Sequence, residues 1–479
     1  MRRVMAAGAA GLCVVAAGGY VAADVLDVAP GVLTLDRPSP VPTPTVSGTP
    51  APVLLPTAGP GDPVLTATGT DAPAPTAEGL EQAVREASDD EALDGALGVS
   101  VRDGVTGAEL WGLEAEEPRV PASTAKLLAA VAVADTLDLQ QRIPTAVVAE
   151  PGSSDLVLVA RGDMLLAADE GDPDAVVGRA GLGDLAGQVA PVLRASGRTE
   201  VTLRLDLSFA PGPRVPPTWN PNDVRDGFAG PVVMTGLASR RATPARPAPE
   251  DPEVLVAKAF AARLADRGVE ARLRPLKTWS TPAAEDSEEL GVVESATYGE
   301  LCDHAIDVSD NALAESLVRQ AAATVGAPTQ ESGANGAFIR SRLEADAIPT
   351  PGLVLTDASG LSPDQRVAPV TLTAVLARAV ETSGPLRGLM AGLPVSGLDG
   401  TLGGRFSTDA TSDVVGVPRA KTGTLRAGSS LAGTTVTADG RPLLFAVQVD
   451  GFPRTYGGTL RARAALDRIV AAITRCGCR

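Results

Sequence analysis

Histidine is almost absent from this chain, which has a single histidine, His304, among 479 residues. A Ser-His-Asp triad would have to use that one residue, and a metal site made of several histidines is excluded. We expect His304 to be structural, or a partly exposed residue of a helix. Acid–base chemistry in this protein must therefore use other side chains.

Aromatic residues are also scarce, and acidic residues outnumber basic ones. Phe, Trp and Tyr make up 3% of the sequence, so the core must be built mainly from Ala, Val and Leu. The formal net charge of −17 argues against nucleic acid as a partner, because phosphate binding requires clustered Lys and Arg. The length is too great for one hydrophobic core and indicates two or more domains.

The four cysteines are too few and too unevenly spaced for a zinc ribbon. Cys13 lies in an apolar N-terminal stretch, and the other three are Cys302, Cys476 and Cys478. Three cysteines cannot all pair within one chain, although an exported protein can form one disulfide among them. The sequence leaves open whether that disulfide forms.

Two segments precede the globular part of the chain. Residues 1–27 begin with two arginines and continue with about twenty apolar residues, which is typical of a signal peptide or of an uncleaved signal anchor. Residues 28–77 are rich in Pro, Thr and Ala and are predicted to form an extended linker, because they cannot bury enough apolar surface to fold. Either interpretation of the first segment places residues 78–479 outside the cytoplasmic membrane, secreted or anchored.

Residues 78–479 have predicted strands near both ends and helices between them, a pattern that favours an α+β fold. The predicted strands are 98–101, 108–111, 430–437 and 443–449, and the clearest predicted helices are 80–87, 124–138 and 460–474. We expect the two ends of this region to share one sheet.

Lysine is the most informative residue, because the chain has only four: Lys126, Lys258, Lys277 and Lys421. Two of these lie in short motifs, S-T-A-K at 123–126 and K-T-G-T at 421–424, and S-D-N lies between them at 309–311. S-x-x-K, S-D-N and K-T-G in this order form the signature of penicillin-binding proteins and class A β-lactamases. Each motif alone is commonplace as a helix cap, a turn or a strand end. Their combination in a lysine-poor chain predicts an active site.

The first motif contains the groups needed for nucleophilic catalysis. Ser123 and Lys126 are three residues apart, so at the start of a helix they project from the same face. A serine hydroxyl is a weak nucleophile without an adjacent base, and a lysine kept neutral by burial and nearby positive charge can be that base. Lys421 is a candidate source of that positive charge. The helix start also offers backbone N–H groups that suit an oxyanion hole.

These motifs resemble those of the class C low-molecular-mass penicillin-binding proteins, the D-alanyl-D-alanine carboxypeptidase/endopeptidases. The resemblance extends from about Glu78 to the C-terminus. It is strongest in two longer segments, D-A-S-G-L-S at 357–362 and L-P-V-S-G-L-D-G-T-L at 393–402, and it includes S-D-N-A-L-A-E at 309–315.

The resemblance implies an α+β fold of the β-lactamase/D,D-peptidase (penicillin-binding transpeptidase-like) type. This fold has an antiparallel sheet flanked by helices, an α-helical subdomain and an inserted β-rich domain. The long separation between Ser123 and Ser309 leaves room for such an insert, which we place at residues 144–249 within the catalytic region 78–479.

The resemblance also implies a role for each motif residue. Ser123 would be the acyl-accepting nucleophile, Lys126 its base, and Ser309 a proton relay toward the leaving group. The backbone N–H groups of Ser123 and Thr424 would form the oxyanion hole. The implied substrate-binding residues are Asn311, which holds an amide, and Lys421, Thr422, Gly423 and Thr424, at which the terminal carboxylate binds. No metal or other cofactor is implied.

The implied activity is that of a serine-type D-Ala-D-Ala carboxypeptidase acting on peptidoglycan stem peptides, with or without endopeptidase activity. Attack on the D-Ala–D-Ala bond would give an acyl-enzyme, which water then hydrolyses. β-Lactam antibiotics would acylate the same serine and act as inhibitors. Membrane contact is expected only through residues 1–27.

Two other interpretations compete with this one. A serine β-lactamase would need a second base to hydrolyse its adduct, and Glu331 precedes Asn335 by four residues, loosely as in class A enzymes. A catalytically inactive scaffold that binds the cell wall is the other alternative. The carboxypeptidase is favoured because every motif residue is present and because the 357–362 segment and the large insert are not features of a β-lactamase.

Overall fold

The computed structural model describes residues 71–477, apart from residues 94–95, 154, 381–391 and 427. The predicted N-terminal segment and most of the predicted linker lie outside the described residues. Within the described ranges, no helix combines the length and the apolar character that crossing a membrane requires.

The described residues form helices and strands in an α+β arrangement. The helices are α1 (Ala77–Ser88), α2 (Ala125–Ala134), α3 (Leu182–Ala195), α4 (Pro221–Arg225), α5 (Pro252–Ala265), α6 (Tyr298–Asp307), α7 (Asn311–Thr324), α8 (Ala334–Ala345), α9 (Pro369–Val380) and α10 (Tyr456–Arg475). The strands are β1 (Leu97–Asp103), β2 (Glu109–Leu113), β3 (Arg142–Ala149), β4 (Asp155–Ala160), β5 (Asp163–Leu166), β6 (Glu200–Asp206), β7 (Thr235–Leu237), β8 (Glu270–Leu273), β9 (Glu288–Thr297), β10 (Arg419–Leu425), β11 (Gly428–Val436) and β12 (Pro442–Asp450).

Local sequence signals start several of these helices. Thr76 caps α1 and Asp310 caps α7, each by accepting a hydrogen bond from the backbone amide three residues further along. Thr297 and Glu300 form a capping box at the start of α6. Such caps satisfy N–H groups that have no partner within the helix, and each contributes about 1 kcal/mol.

The main sheet has five strands in the order β10-β11-β12-β1-β2, and its neighbouring strands run antiparallel. β1 pairs with β12 from Leu97↔Val449 to Asp103↔Leu443. The two ends of the region 78–479 therefore share one sheet, which confirms the prediction. β10 lies at one edge and carries the K-T-G motif.

Helices cover both faces of the main sheet. α1 and α10 pack on one face, in a core that includes Leu80, Phe445 and Ile469. α9 packs on the other face, where it joins a helical subdomain formed with α2, α6, α7 and α8. Every residue of α2 is buried, and its sequence is apolar apart from Lys126. A helix that is apolar all round belongs in a protein interior, which explains why α2 lies at the centre of this subdomain.

A second sheet has the strand order β8-β6-β4-β3-β9. β4, β6 and β8 run parallel, and β3 runs antiparallel to β4 and to β9. Parallel neighbours need a crossover connection, and α3 and α5 make these crossovers and share one core with the sheet. This sheet takes its strands from residues 142–297; how the chain divides into domains, including an insert at 144–249, stays a prediction.

The connection between β6 and α5 leaves the second sheet and reaches the helical subdomain. Three of its residues contact the segments that hold the predicted motifs: Trp219 bonds to Asp357, the Phe228 carbonyl accepts from Asn311, and Arg241 pairs with Asp310. We call residues 207–251 the connecting segment.

Candidate active site

Ser123 lies in a single 3₁₀ turn, Ala122–Thr124, that leads directly into α2. Ala122 has a φ of +45°, in the left-handed region that is unfavourable for a residue with a side chain. Two glycines let other segments approach this turn closely. A Cβ on Gly360 would lie 1.8 Å from the carbonyl oxygen of Ala122, and a Cβ on Gly423 would lie 2.5 Å from that of Pro121. The Ser123 turn is therefore held between the 357–362 segment and β10.

Lys126 lies one turn along α2 from Ser123, and its side chain is buried. Its Nζ is 3.0 Å from Ser123 Oγ, 2.6 Å from Asn311 Oδ1 and 2.7 Å from the carbonyl oxygen of Ser359. A neutral amine has two N–H bonds and one lone pair. The Asn311 and Ser359 oxygens can only accept, so they take the two N–H bonds, and the lone pair faces the Ser123 hydroxyl. This geometry lets Lys126 accept the Ser123 proton.

Burial lowers the pKa of Lys126 to about 8, although the carboxylates of Asp357, Glu315 and Asp310 act to raise it. The burial that the sequence predicts is present. Nearby carboxylates also act on Lys126, and the positive charge expected from Lys421 stays a prediction. Since burial outweighs them, a large fraction of Lys126 is neutral near pH 8.

The S-D-N motif lies at the start of α7. Ser309 has a φ of +58° and is half-buried, and its hydroxyl makes no hydrogen bond to another described residue. Asn311, the first residue of α7, donates from Nδ2 to the carbonyl oxygen of Phe228 at 2.7 Å. That bond fixes the orientation of the amide, so Oδ1 faces Lys126.

Asp310, the middle residue of this motif, pairs with Arg241. The guanidinium of Arg241 donates from Nε at 3.0 Å and from Nη2 at 2.5 Å to the two carboxylate oxygens of Asp310. Burial alone would raise the pKa of Asp310, but the Arg241 guanidinium beside it holds that pKa below its usual value. Asp310 is therefore a compensated anion that also caps α7.

The K-T-G-T motif, residues 421–424, occupies the middle of β10. Lys421 and Thr422 are buried, and Thr424 is half-buried. Lys421 acts on Asp307 of α6: burial raises the pKa of Asp307, and the Lys421 ammonium opposes that rise. Lys421, on the motif strand, therefore interacts electrostatically with α6, the helix that precedes the S-D-N motif.

Among the residues that the structure describes, only the start of β10 has a partner along its outer edge. Val395 forms a bridge with Arg419, and the Ala420 amide donates to the carbonyl oxygen of Pro394 at 3.0 Å. From residue 421 onward, no strand of the described residues pairs with this edge. An open strand edge offers backbone donors and acceptors to an extended peptide.

The Ser123 turn is tied to β11 as well as to β10. The hydroxyl of Ser430, on β11, donates to the carbonyl oxygen of Pro121 and lies 3.2 Å from Thr124 Oγ1. Thr124 Oγ1 also donates to the Pro121 carbonyl at 2.6 Å. These contacts fix the position of the Ser123 turn relative to the motif strand.

The 357–362 segment is folded around the buried carboxylate of Asp357. Oδ1 accepts hydrogen bonds from the Gly360 amide and from Gln365 Nε2, each at 2.7 Å. Oδ2 accepts from the Ser362 amide at 2.8 Å and from Trp219 Nε1 at 2.9 Å. This loop presents the Ser359 carbonyl to Lys126.

A second buried carboxylate, Glu315, lies one turn along α7 from Asn311. Its Oε1 accepts from the amides of Ala358 and Ser359 at 2.8 and 2.9 Å, and its Oε2 accepts from Asn335 Nδ2 at 2.7 Å. Burial, with Asp357 adding to it, raises the pKa of Glu315 to about 7. Glu315 therefore holds the same loop from the other side.

The hydrogen bonds of Lys126 go to Ser123, Asn311 and Ser359, and none goes to the remaining sequence candidates. Glu331 is exposed and Asn335 is engaged by Glu315, so this pair does not form the second base of a class A enzyme. His304 is half-buried in α6, where burial lowers its pKa. Cys302 is a free, buried thiol, whereas Cys476 is disulfide-bonded, so one disulfide forms.

The structure brings Ser123, Lys126 and Asn311 together at a single nitrogen atom, with Ser309 two residues before Asn311 and the motif strand against the Ser123 turn. The sequence interpretation missed the Ser359 and Phe228 carbonyls and the side chains of Glu315 and Arg241. Glu315 and Ser359 lie in segments that resemble the family, and this was the available signal. Arg241 has no such signal.

Comparison with known sequences gives a family. The model of the D-Ala-D-Ala carboxypeptidase 3 (S13) family matches residues 80–240 and 232–473. A carboxypeptidase of Mycobacterium tuberculosis is 36% identical over 84% of this chain and 85% of its own length. The carboxypeptidase DacB of Mycolicibacterium smegmatis is 35% identical over 87% of this chain and 88% of its own length. A D-alanyl-D-alanine carboxypeptidase of Actinomadura sp. is 29% identical over 76% of this chain and 79% of its own length.

Comparison with solved structures gives the fold. The crystal structure of penicillin binding protein 4 (dacB) from Haemophilus influenzae superposes with a TM-score of 0.63 at 20% identity, over 81% of this chain and 99% of that one. The same protein complexed with a novel β-lactam gives a TM-score of 0.56 at 21% identity, over 80% of this chain and 98% of that one. These likenesses confirm the predicted α+β fold of the D,D-peptidase type.

Proposed function

Because the chain belongs to the D-Ala-D-Ala carboxypeptidase 3 (S13) family and is a serine-type D-Ala-D-Ala carboxypeptidase, we propose that Ser123 is its nucleophile and that peptidoglycan stem peptides are its substrates. The observation that carries the assignment is the position of Lys126 Nζ, 3.0 Å from Ser123 Oγ, with its other two contacts made to oxygens that can only accept. An amine held in this way is a base aimed at one hydroxyl.

In the first step, Ser123 Oγ attacks the carbonyl carbon of the penultimate D-Ala while Lys126 takes the hydroxyl proton. The tetrahedral intermediate carries a negative oxygen, which the backbone N–H groups of Ser123 and Thr424 would stabilise. Two features support this placement. Ser123 lies at the start of a helix, and Thr424 lies on the part of the β10 edge that no described strand covers.

In the second step, the C–N bond breaks and the nitrogen of the terminal D-Ala must gain a proton. The proton held by Lys126 would reach that nitrogen through the hydroxyl of Ser309, which has no hydrogen-bond partner among the described residues. D-Ala then leaves and Ser123 remains acylated. Water hydrolyses the ester, with Lys126 again as base, and Ser123 regains its proton.

The substrate would lie along the open edge of β10, paired with its backbone. Asn311 would hold the amide of the penultimate residue. The terminal carboxylate would bind at Lys421, Thr422 and Thr424, where Lys421 supplies the positive charge, and Gly423 leaves room for the close packing of β10 on the Ser123 turn.

A β-lactam presents a strained amide to the same serine, so we propose that β-lactams acylate Ser123 and inhibit the enzyme. The Haemophilus influenzae protein that shares this fold is named a penicillin-binding protein, and one of its crystal structures contains a bound β-lactam. The leaving nitrogen of a β-lactam stays tethered to the acyl group, which blocks the approach of water and prolongs the adduct.

A substrate in the cell wall requires the catalytic region to be outside the cytoplasmic membrane. Residues 1–27, with two arginines before an apolar run, would supply export as a signal peptide or as an anchor, and residues 28–77 would act as a spacer. Membrane contact would then be confined to the N-terminal segment.

The test is intact-mass spectrometry of the full chain mixed with benzylpenicillin and followed over hours, beside the variants Ser123→Ala and Ser332→Ala. Ser332 is exposed and serves as the matched control. We expect an adduct of one penicillin on the wild-type chain and on the control, and none on Ser123→Ala. Release of D-Ala from a D-Ala-D-Ala peptide should show the same dependence on Ser123.

Each other outcome has a distinct meaning. An adduct that disappears while penicillin is consumed would make the chain a β-lactamase. A folded wild-type chain that forms no adduct and releases no D-Ala would favour the alternative interpretation, an inactive scaffold that binds the cell wall. An adduct on Ser123→Ala would show that another residue is the nucleophile.

A further inference from the structure

The carboxylate of Glu315 does not contact Ser123 or Lys126, yet it holds the backbone that Lys126 contacts. Both amide donors that it receives on Oε1 come from consecutive residues, Ala358 at 2.8 Å and Ser359 at 2.9 Å. The carbonyl of that same Ser359 accepts from Lys126 Nζ at 2.7 Å. Glu315 therefore binds the backbone amide of Ser359, and Lys126 binds the backbone carbonyl of the same residue.

The environment of Glu315 leaves its carboxylate little freedom. The residue is 1% exposed, and Oε2 is occupied by Asn335 Nδ2 at 2.7 Å. Asp357, the other buried carboxylate of this loop, has both oxygens engaged by the loop itself and by Trp219. Among the described residues, only the side chain of Glu315 accepts the amides of Ala358 and Ser359.

We propose that Glu315 is a positioning residue for Lys126: by accepting the amides of Ala358 and Ser359, it fixes the Ser359 carbonyl that orients the amine. This inference rests on the proposed function, in which Lys126 is the base for acylation of Ser123. Glu315 contacts neither the substrate nor Ser123 in this scheme and acts only through Ser359 and through its charge.

The charges around the two groups determine the direction of the effect. The groups that act on Lys126 are Asp357, Glu315 and Asp310, all negative, and Arg241 partly compensates Asp310. Glu315 faces Asp357 and Arg319. Burial and Asp357 raise the pKa of Glu315 to about 7, so Glu315 is charged in the range where Lys126, with a pKa of about 8, loses its proton.

The test is the pH dependence of acylation by benzylpenicillin in wild type and in Glu315→Gln, measured by quenched reactions and intact mass between pH 6.5 and 10. Acylation requires neutral Lys126, so the rate rises with pH through the pKa of Lys126. Removing a nearby negative charge lowers that pKa. We expect the midpoint of the Glu315→Gln profile to move down by about one pH unit. The maximum rate should fall by about tenfold, because the glutamine places an N–H donor against Asn335 and disturbs the loop.

Two further variants separate charge from geometry. Glu315→Asp keeps the charge but is one methylene too short to hold both amides, so we expect a lower maximum rate with an unmoved midpoint. Asp163→Asn is the matched control. Asp163 is a buried carboxylate on β5 whose pKa burial raises to about 7, and it is not among the groups that act on Lys126. Its replacement should leave the midpoint unchanged.

The outcomes distinguish this inference from the proposed function. A wild-type chain that is not acylated contradicts both the proposed function and this inference. A wild-type chain that is acylated, with a Glu315→Gln midpoint equal to its own, overturns the inference alone. Should Glu315→Gln fail to fold, a Glu315→Asp maximum rate equal to that of wild type overturns it instead.

Discussion

The contact between Gly360 and the Ser123 turn leaves no room for one additional methyl group. Gly360 has a φ of +84°, and a Cβ there would lie 1.8 Å from the Ala122 carbonyl oxygen and 3.1 Å from the Ser123 amide nitrogen. Backbone atoms cannot give way as a side chain can. An alanine at this position must therefore separate the 357–362 segment from the Ser123 turn.

We expect Gly360→Ala to lower the acylation rate by about 100-fold, because a shift of about 1 Å at the nucleophile costs that much. The matched control is Gly440→Ala, since Gly440 has a similar φ of +88° but nothing within 4 Å of the new Cβ. The control should lose about 1 kcal/mol of unfolding free energy through its backbone strain alone. Its acylation rate should stay within about twofold of wild type. Equal rates for the two variants would contradict the assigned packing.

At this scale the sequence predicts side-chain pairs better than backbone contacts. The approach of Lys126 to Ser123 follows from their spacing on a helix. The contacts of the site with the Ser359 and Phe228 carbonyls join residues 233 and 83 positions apart. A carbonyl is present at every position and has no signature in the sequence, so these two acceptors become visible only when the chain is folded.

At the scale of elements, the C-terminal ends of α2 and α8 bring the carboxylates of two aspartates close to each other. Asp135 follows the last residue of α2, and Asp346 follows the last residue of α8. Oδ2 of Asp135 is buried and accepts no hydrogen bond from the described residues. Burial, with Asp346 adding to it, raises the pKa of Asp135 to about 7, against the opposing charges of Arg378 and Arg342. The carboxylates also lie at the negative ends of two helix dipoles.

This pair should make the protein less stable as the pH rises. The folded chain keeps a proton on Asp135 up to about pH 7, whereas an unfolded aspartate loses it near 3.8. Between these values the folded state binds more protons than the unfolded state, so the contribution of this group to the unfolding free energy decreases with rising pH. Asp135→Asn removes that decrease.

We expect Asp135→Asn to gain stability over wild type progressively from pH 5 to pH 7, with a constant gain above pH 7. Urea unfolding at pH 5, 6, 7 and 8 measures this difference. Asp89→Asn is the control, because Asp89 follows the end of α1 in the same way but is not among the groups that act on Asp135. A gain that does not change with pH would mean that the folded chain does not keep a proton on Asp135 up to about pH 7.

Helices and strands with strong local patterns could be predicted from the sequence, but the order of neighbouring strands in the second sheet could not. The Ala/Leu-rich stretch predicted at 124–138 is the buried helix α2, and the strands near the chain ends pair as predicted. The parallel order of β4, β6 and β8 was not predicted. Strand order depends on crossovers that join distant residues, and periodicity within one strand carries no information about its neighbour.

At the scale of the whole molecule, the connecting segment brings the region between the S-x-x-K and S-D-N motifs to the proposed catalytic site. It supplies Trp219 to Asp357, the Phe228 carbonyl to Asn311 and Arg241 to Asp310. Each of these contacts holds a group that lies beside Lys126 or acts on it. The length of sequence between two motifs does not predict whether the intervening residues return to the site.

The effect of the connecting segment on Lys126 can be tested at Arg241, because its loss should shift the pKa of Lys126 in a known direction. Arg241→Gln leaves Asp310 as an uncompensated anion that is 15% exposed, which should cost about 3 kcal/mol of unfolding free energy. The Asp310 charge would then raise the pKa of Lys126 further. The midpoint of the acylation profile should therefore move to higher pH, opposite to the shift expected for Glu315→Gln.

The matched control for this prediction is Arg214→Gln, in the same connecting segment. Arg214 pairs with the buried carboxylate of Glu253 at 2.7 Å, and Glu253 is not among the groups that act on Lys126. This control should lose stability with no change in the midpoint. An Arg241→Gln midpoint at or below that of wild type would show that Arg241 acts on Asp310 only as a structural partner. A midpoint that rises for Arg241→Gln and falls for Glu315→Gln would show that two distant parts of the chain set the basicity of one amine through charge.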